Sequence, residues 1–82
     1  MPLRAYILIN TQIGKTAEVA RTLLEMPEVK KIDIIMGPYD IIAEIETEDH
    51  ETLSEVVLRK LQTIPSIQHT MTCPVVKLEE GH

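Results

Sequence analysis

Apolar and polar positions change their period several times along this chain, and each change marks an element. Arg4 to Asn10 (RAYILIN) is a short β-branched run and predicts a strand. From Lys15 to Met26 the period lengthens. Thr16, Val19, Ala20, Leu23 and Leu24 share one helical face, with Glu18, Arg21 and Glu25 turned away, until Pro27 stops the helix. Lys30 to Met36 alternates Ile32, Ile34 and Met36 against Lys31, Asp33 and Ile35, which predicts a second strand. Gly37-Pro38-Tyr39-Asp40 is a tight turn and Ile41 to Thr47 a third strand. Asp49 suits the N-cap of a second helix, with Leu53, Val56, Val57, Leu61 and Ile64 inward and Pro65 at its end. Ile67 to Lys77 is the last strand, where Pro74 is tolerable only at an edge or bulge.

The order strand, helix, strand, strand, helix, strand is supported by an internal echo. Leu23, Pro27 and Val29 recur with the same spacing as Leu61, Pro65 and Ile67. Two such halves predict an α+β fold, the ferredoxin-like βαββαβ plait, with a four-stranded antiparallel sheet and two helices on one face. The first and third strands, the most apolar, belong at the centre. The second, with its lysines, and the fourth, with Pro74, belong at the edges. Eighty-two residues make one domain, with residues 4–78 expected to be ordered and 79–82 a mobile tail.

Alternation also divides the two faces of the sheet. Ala5, Ile7, Ile9, Ile32, Ile34, Met36, Ile41, Ala43, Ile45, Ile67, Met71, Cys73 and Val75 are expected beneath the helices. The other face then mixes Tyr6, Leu8, Ile35, Ile42 and Val76 with Asp33, Glu44, Glu46, Thr70 and Thr72. Burying one aliphatic side chain is worth roughly 1.5–3 kcal/mol, so a second copy covering this face is the expected solution. Tyr6, Leu8, Ile35, Ile42 and Val76 are the predicted dimer contacts.

Composition narrows the function. The core contains no Trp or Phe, and the net charge of −5 with scattered basic residues argues against nucleic-acid binding by this chain. No run is long enough to span a membrane, there is no signal-peptide layout, and a single cysteine makes no internal disulfide, so a cytoplasmic location is expected. Gly14-Lys15-Thr16 resembles the tail of a P-loop, but Ile9 stands where its first glycine would be. His50, His69 and His82 share no metal-ligand spacing, and Cys73 reads as a small buried hydrophobe; no metal, cofactor or catalytic set is expected.

Two features suit an α-amino acid. Asp40 offers an acceptor for an ammonium, and the Gly37 amide with the Thr70 and Thr72 hydroxyls offers donors for a carboxylate. An ordinary hairpin turn with ordinary strand threonines is the plainer reading of the same residues.

The runs Leu24-Glu25-Met26-Pro27-Glu28-Val29, Ile35-Met36-Gly37-Pro38-Tyr39-Asp40-Ile41-Ile42-Ala43 and Ile64-Pro65-Ser66-Ile67-Gln68-His69-Thr70-Met71-Thr72 together resemble the ligand-binding (RAM) module of the Lrp/AsnC transcription regulators. The resemblance implies dimers formed through the sheets, octamers or decamers of such dimers, and amino-acid effectors bound where dimers meet. It carries Gly37, Tyr39, Asp40, Thr70 and Thr72 over as ligand contacts, with Met36 and Pro38 lining the pocket. Those regulators also bear a helix-turn-helix domain, for which no room remains before the first strand. A module acting alone or on full-length Lrp/AsnC regulators is therefore expected. A purely structural oligomerisation module and a dimeric α+β barrel enzyme, using Tyr6 with Glu44 or Asp33, are the alternatives.

Overall fold

The computed structural model describes residues 2–77. The expected tail at 79–82 lies outside them. The elements are β1 (Leu3–Thr11), α1 (Thr16–Leu24), β2 (Val29–Ile34), β3 (Ile41–Thr47), α2 (His50–Glu55), which continues as a π-helical segment (Val56–Leu61), and β4 (Ile67–Pro74). The sheet is antiparallel in the order β2-β3-β1-β4, with the first and third strands central and the second and fourth at the edges. This is the ferredoxin-like plait that the pattern predicts.

Burial follows the two periodicities closely. Ala5, Ile7 and Ile9 of β1 and Ile41, Ala43 and Ile45 of β3 are fully buried against Val19, Ala20 and Leu23 of α1 and Leu53, Val56, Val57 and Leu61 of the second helix. The wide π turn carries Val56 and Leu61, five positions apart, into the same core, and Gln62 N–H closes it on Val57 O at 3.0 Å. Asp49 caps α2 as expected, its side chain accepting from Thr52 N–H at 2.8 Å. Three apolar residues expected inside and lying before β4 are outside. Leu24, at the last turn of α1, is 61% exposed, Ile34, at the end of the edge strand β2, is 59% exposed, and Met36, beyond the end of β2, is 99% exposed.

The internal echo is structural. Met26 and Ile64 donate to Leu23 O and Leu61 O, and Val29 and Ile67 donate back to Met26 O and Ile64 O, at 3.0–3.2 Å throughout. Each exit then inserts one extra residue into its edge strand. Val29 pairs with Ile45 but Lys31 with Glu44, leaving Lys30 as a bulge. Ile67 pairs with Thr11 but His69 with Asn10, leaving Gln68 as its counterpart.

That second bulge corrects the expected faces of β4. Ile67 points into the core, but one inserted residue reverses the parity of everything after it. Thr70 and Thr72 stand opposite Ile9 and Ile7, on the helical side. Met71 and Cys73 stand opposite Leu8 and Tyr6, on the open side. Val75, whose N–H donates to Arg4 O at 2.9 Å, carries the open-side parity onward, so Val76 leaves the open face and is 85% exposed.

Among the described residues, no helix is long and apolar enough to cross a membrane.

Candidate functional site

The middle of the open face consists of two rows that cross three of its four strands. Ile42, Leu8 and Met71 lie side by side across β3, β1 and β4, and Glu44, Tyr6 and Cys73 form the next row. Tyr6 and Met71 are 37% and 45% exposed, and Leu8, Ile42 and Cys73 are half-buried. Three of the five expected dimer contacts, Tyr6, Leu8 and Ile42, thus belong to one contiguous surface. Ile35 lies just past β2, its N–H bonded to Asp40 O at 2.9 Å, and Val76 is off the face. Sequence reasoning missed Met71 and Cys73, which the bulge at Gln68 turns onto this surface.

Two ion pairs form on the same face. Arg4 Nε donates to Glu44 Oε2 at 3.2 Å, and Arg4 Nη2 donates to the Tyr6 hydroxyl at 3.1 Å. Lys31 and Asp33 pair at 3.7 Å along the edge. The enzyme alternative needed Tyr6 paired with Glu44 or Asp33. Arg4 stands between Tyr6 and Glu44 and engages both, which leaves the phenol without a direct carboxylate base.

The turn from Ile35 to Asp40 is clamped to the end of β1. Asp40 N–H donates to Ile9 O at 2.9 Å, Asn10 Nδ2 donates to Pro38 O at 2.8 Å, and Thr11 N–H donates to Asp40 Oδ2 at 2.8 Å. Gly37 sits at φ 155°, a backbone state that L side chains rarely adopt, while a Cβ there would meet nothing within 4 Å. Glycine is needed for conformation and not for space. Pro38 and Met36 are exposed beside it. Tyr39 swings over the open face, where its hydroxyl lies 3.7 Å from Met71 Sδ.

The expected ligand set therefore divides. Tyr39 lies with Met71 on the open side, whereas Thr70 and Thr72 project to the helical side of β4. Thr72 lines a groove of about 420 Å³ with His50, Leu53, Val57 and Leu58, and Thr70 lines a second, of about 390 Å³, with Gln62 and His69. No residue of the Gly37–Asp40 turn lines either groove. Among the described residues, neither of these grooves joins the turn to the threonines. Asp40 also has a partner the sequence did not indicate, because its Oδ2 accepts from the backbone N–H of Thr11.

One signal in the sequence could have placed the threonines. In the internal echo, Thr70 and Thr72 follow Ile67 as Ile32 and Ile34 follow Val29. Ile32 and Ile34 pair with Ala43 and Ile41 on the helical side, and the echo puts the two threonines there too.

The remaining chemistry is sparse. The Gly14 turn is a helix entry, with φ 82° and Lys15 N–H bonded to Gln12 O at 3.0 Å. Among the described residues, no group of three or more His, Cys, Asp or Glu side chains is arranged to hold a metal ion.

Comparison with known proteins adds the family. The model of the Lrp/AsnC ligand binding domain matches residues 4–79. The HTH-type transcriptional regulator FL11 of Pyrococcus horikoshii is 34% identical over 73 residues, which is 89% of this chain and 48% of the regulator. The chain spans about half the length of the curated relatives it matches. The crystal structure of FFRP-DM1 superposes with a TM-score of 0.88 at 38% identity, covering 90% of this chain and 99% of that one. The hypothetical protein PHS023 from Pyrococcus horikoshii superposes with a TM-score of 0.87 at 36% identity, covering 98% of this chain and 96% of that one. A domain-wide family match, relatives named as transcription regulators and the βαββαβ sheet with its open face agree: the chain belongs to the Lrp/AsnC ligand-binding domain family.

Proposed function

We propose that this chain is an amino-acid-responsive regulatory module that dimerises through its open sheet face. It takes its effector at the Gly37–Asp40 turn and works through the assembly state of itself or of full-length Lrp/AsnC regulators. The observation that carries the reading is the row Ile42, Leu8 and Met71, with Tyr39 reaching Met71 at its end. It is an apolar stripe on the one sheet face that no helix covers, with the pairs Arg4–Glu44 and Lys31–Asp33 beside it.

A second copy laid on that face buries the stripe in both chains at once, as an isologous contact requires. The turn lies at one end of the stripe. Thr70 and Thr72 face away from it, so a site that uses both sets draws the turn from one copy and the threonines from another. An effector bound across such a seam favours assembly by the difference in its affinity for joined and separate dimers. The apolar neighbours of the turn, Ile35 and Met36, favour an aliphatic or Met-like side chain.

The test has two parts. Sedimentation velocity at micromolar concentration is expected to show dimers or larger species, and a thermal-shift screen of the twenty amino acids is expected to give at least one hit. Single chains and a flat screen would remove the proposal. Dimers with a flat screen would leave only the structural oligomerisation module.

A further inference from the structure

We infer that Asp40 is a positioning residue, whose carboxylate fixes the Gly37–Tyr39 turn on the end of β1 and the start of α1 instead of pairing with an effector's ammonium. The inference rests on the effector-binding reading above for its ligand, and on the geometry of the turn for everything else.

One oxygen does the holding. Asp40 Oδ2 accepts from Thr11 N–H at 2.8 Å and from the Thr11 hydroxyl at 3.4 Å. The Thr11 hydroxyl lies 2.8 Å from that of Thr16, the first residue of α1. Thr11 is 7% exposed, so its N–H needs a partner inside the protein, and Asp40 supplies it. Helix α1 has no side-chain cap from Lys15 at its own N-cap position. The chain Asp40–Thr11–Thr16 is thus a side-chain tie between the β2–β3 turn and the helix entry. Asn10 adds a second tie by donating to Pro38 O. Between them they fix where the Gly37 amide and the Tyr39 ring are presented.

The two roles of Asp40 respond oppositely to one substitution. In Asp40→Asn the amide oxygen can still accept from Thr11 N–H, while the NH2 group takes the place of the second oxygen. A positioning residue tolerates that exchange. An ammonium acceptor does not, because charge is lost and a donor is set against a donor.

The experiment compares wild type, Asp40→Asn and Asp40→Ala. Amide exchange at Thr11 is followed by NMR without ligand, and each protein is then screened by thermal shift against the twenty L-amino acids. Asp40→Ala is expected to speed Thr11 exchange about tenfold, the factor that one hydrogen bond to a charged group provides, and to lose the hits. Asp40→Asn is expected to keep both near wild type. Unchanged Thr11 exchange in Asp40→Ala overturns the inference, as does an Asp40→Asn protein that keeps Thr11 protected yet loses every hit. A wild type with no hits removes the effector reading alone, and the exchange arm then decides the positioning role by itself.

Discussion

Leu8 and Met71 stand directly opposite one another on β1 and β4, on the side of the sheet that carries no helix. Met71 is 45% exposed in the single chain. On the proposed dimer this pair lies at the centre of the contact, with Ile42 on the other flank of Leu8. Leu8→Asp and Met71→Asp are expected to weaken the dimer at least about a hundredfold, since each buries an unpaired carboxylate. Sedimentation equilibrium measures the change, and circular dichroism checks that the plait remains.

Thr70→Val and Thr72→Val provide the complementary control. Both side chains are on the helical face, so the dimer constant in sedimentation equilibrium is expected to stay within about threefold of wild type. A loss comparable to that of Leu8→Asp would contradict the β4 register.

Gly37→Ala tests backbone conformation apart from packing. With φ 155° and an empty surrounding, the added methyl group clashes with nothing but forces a disfavoured backbone state. The expected cost is about 1–3 kcal/mol, read from urea unfolding, with the turn displaced even where the fold survives.

Ile7 and Leu24 are both apolar residues that the sequence pattern places inside, yet only Ile7 is. Ile7→Ala is expected to cost about 2–5 kcal/mol, because the side chain is fully buried. Leu24→Ala, at 61% exposure, is expected to stay within about 0.5 kcal/mol. Equal losses would show that Leu24 is covered in the assembled protein.

Acid sensitivity should centre on two carboxylates. The Lys60 ammonium, 2.8 Å from Glu28 Oε2, holds the Glu28 carboxyl below its ordinary value of 4.5. The Thr52 N–H does the same for Asp49, whose ordinary value is 3.8. Both pKa values are lower folded than unfolded, so their stabilisation is present above those ordinary values and is lost as pH falls through the folded ones. Glu28→Gln is expected to flatten the fall in stability below pH 4.5. A thermal-melt series across that range reads it, and an unchanged slope would assign the acid response elsewhere.

The amino-acid sequence by itself determined the element order, the central and edge strands and most of the core. Each depends on a periodicity of two or 3.6 that the buried residues of β1, β3 and both helices obey. It also marked the Gly37–Asp40 turn and, in Leu23-Pro27-Val29 against Leu61-Pro65-Ile67, the repeat that organises the plait. The tertiary structure decided which way β4 faces, against the simple alternation of its residues and in line with the echo of Ile32 and Ile34 by Thr70 and Thr72. Alternation reports a face correctly until one residue is inserted, and whether Gln68 bulges depends on how Ile67 and His69 pair with Thr11 and Asn10 on a distant strand. That single insertion turned Met71 and Cys73 outward and Thr70 and Thr72 beneath the helices. Long-range pairing likewise supplied the partner of Asp40. A carboxylate's residue type shows that it can accept a hydrogen bond, but the donor, Thr11, was fixed only when the turn folded back onto the end of β1.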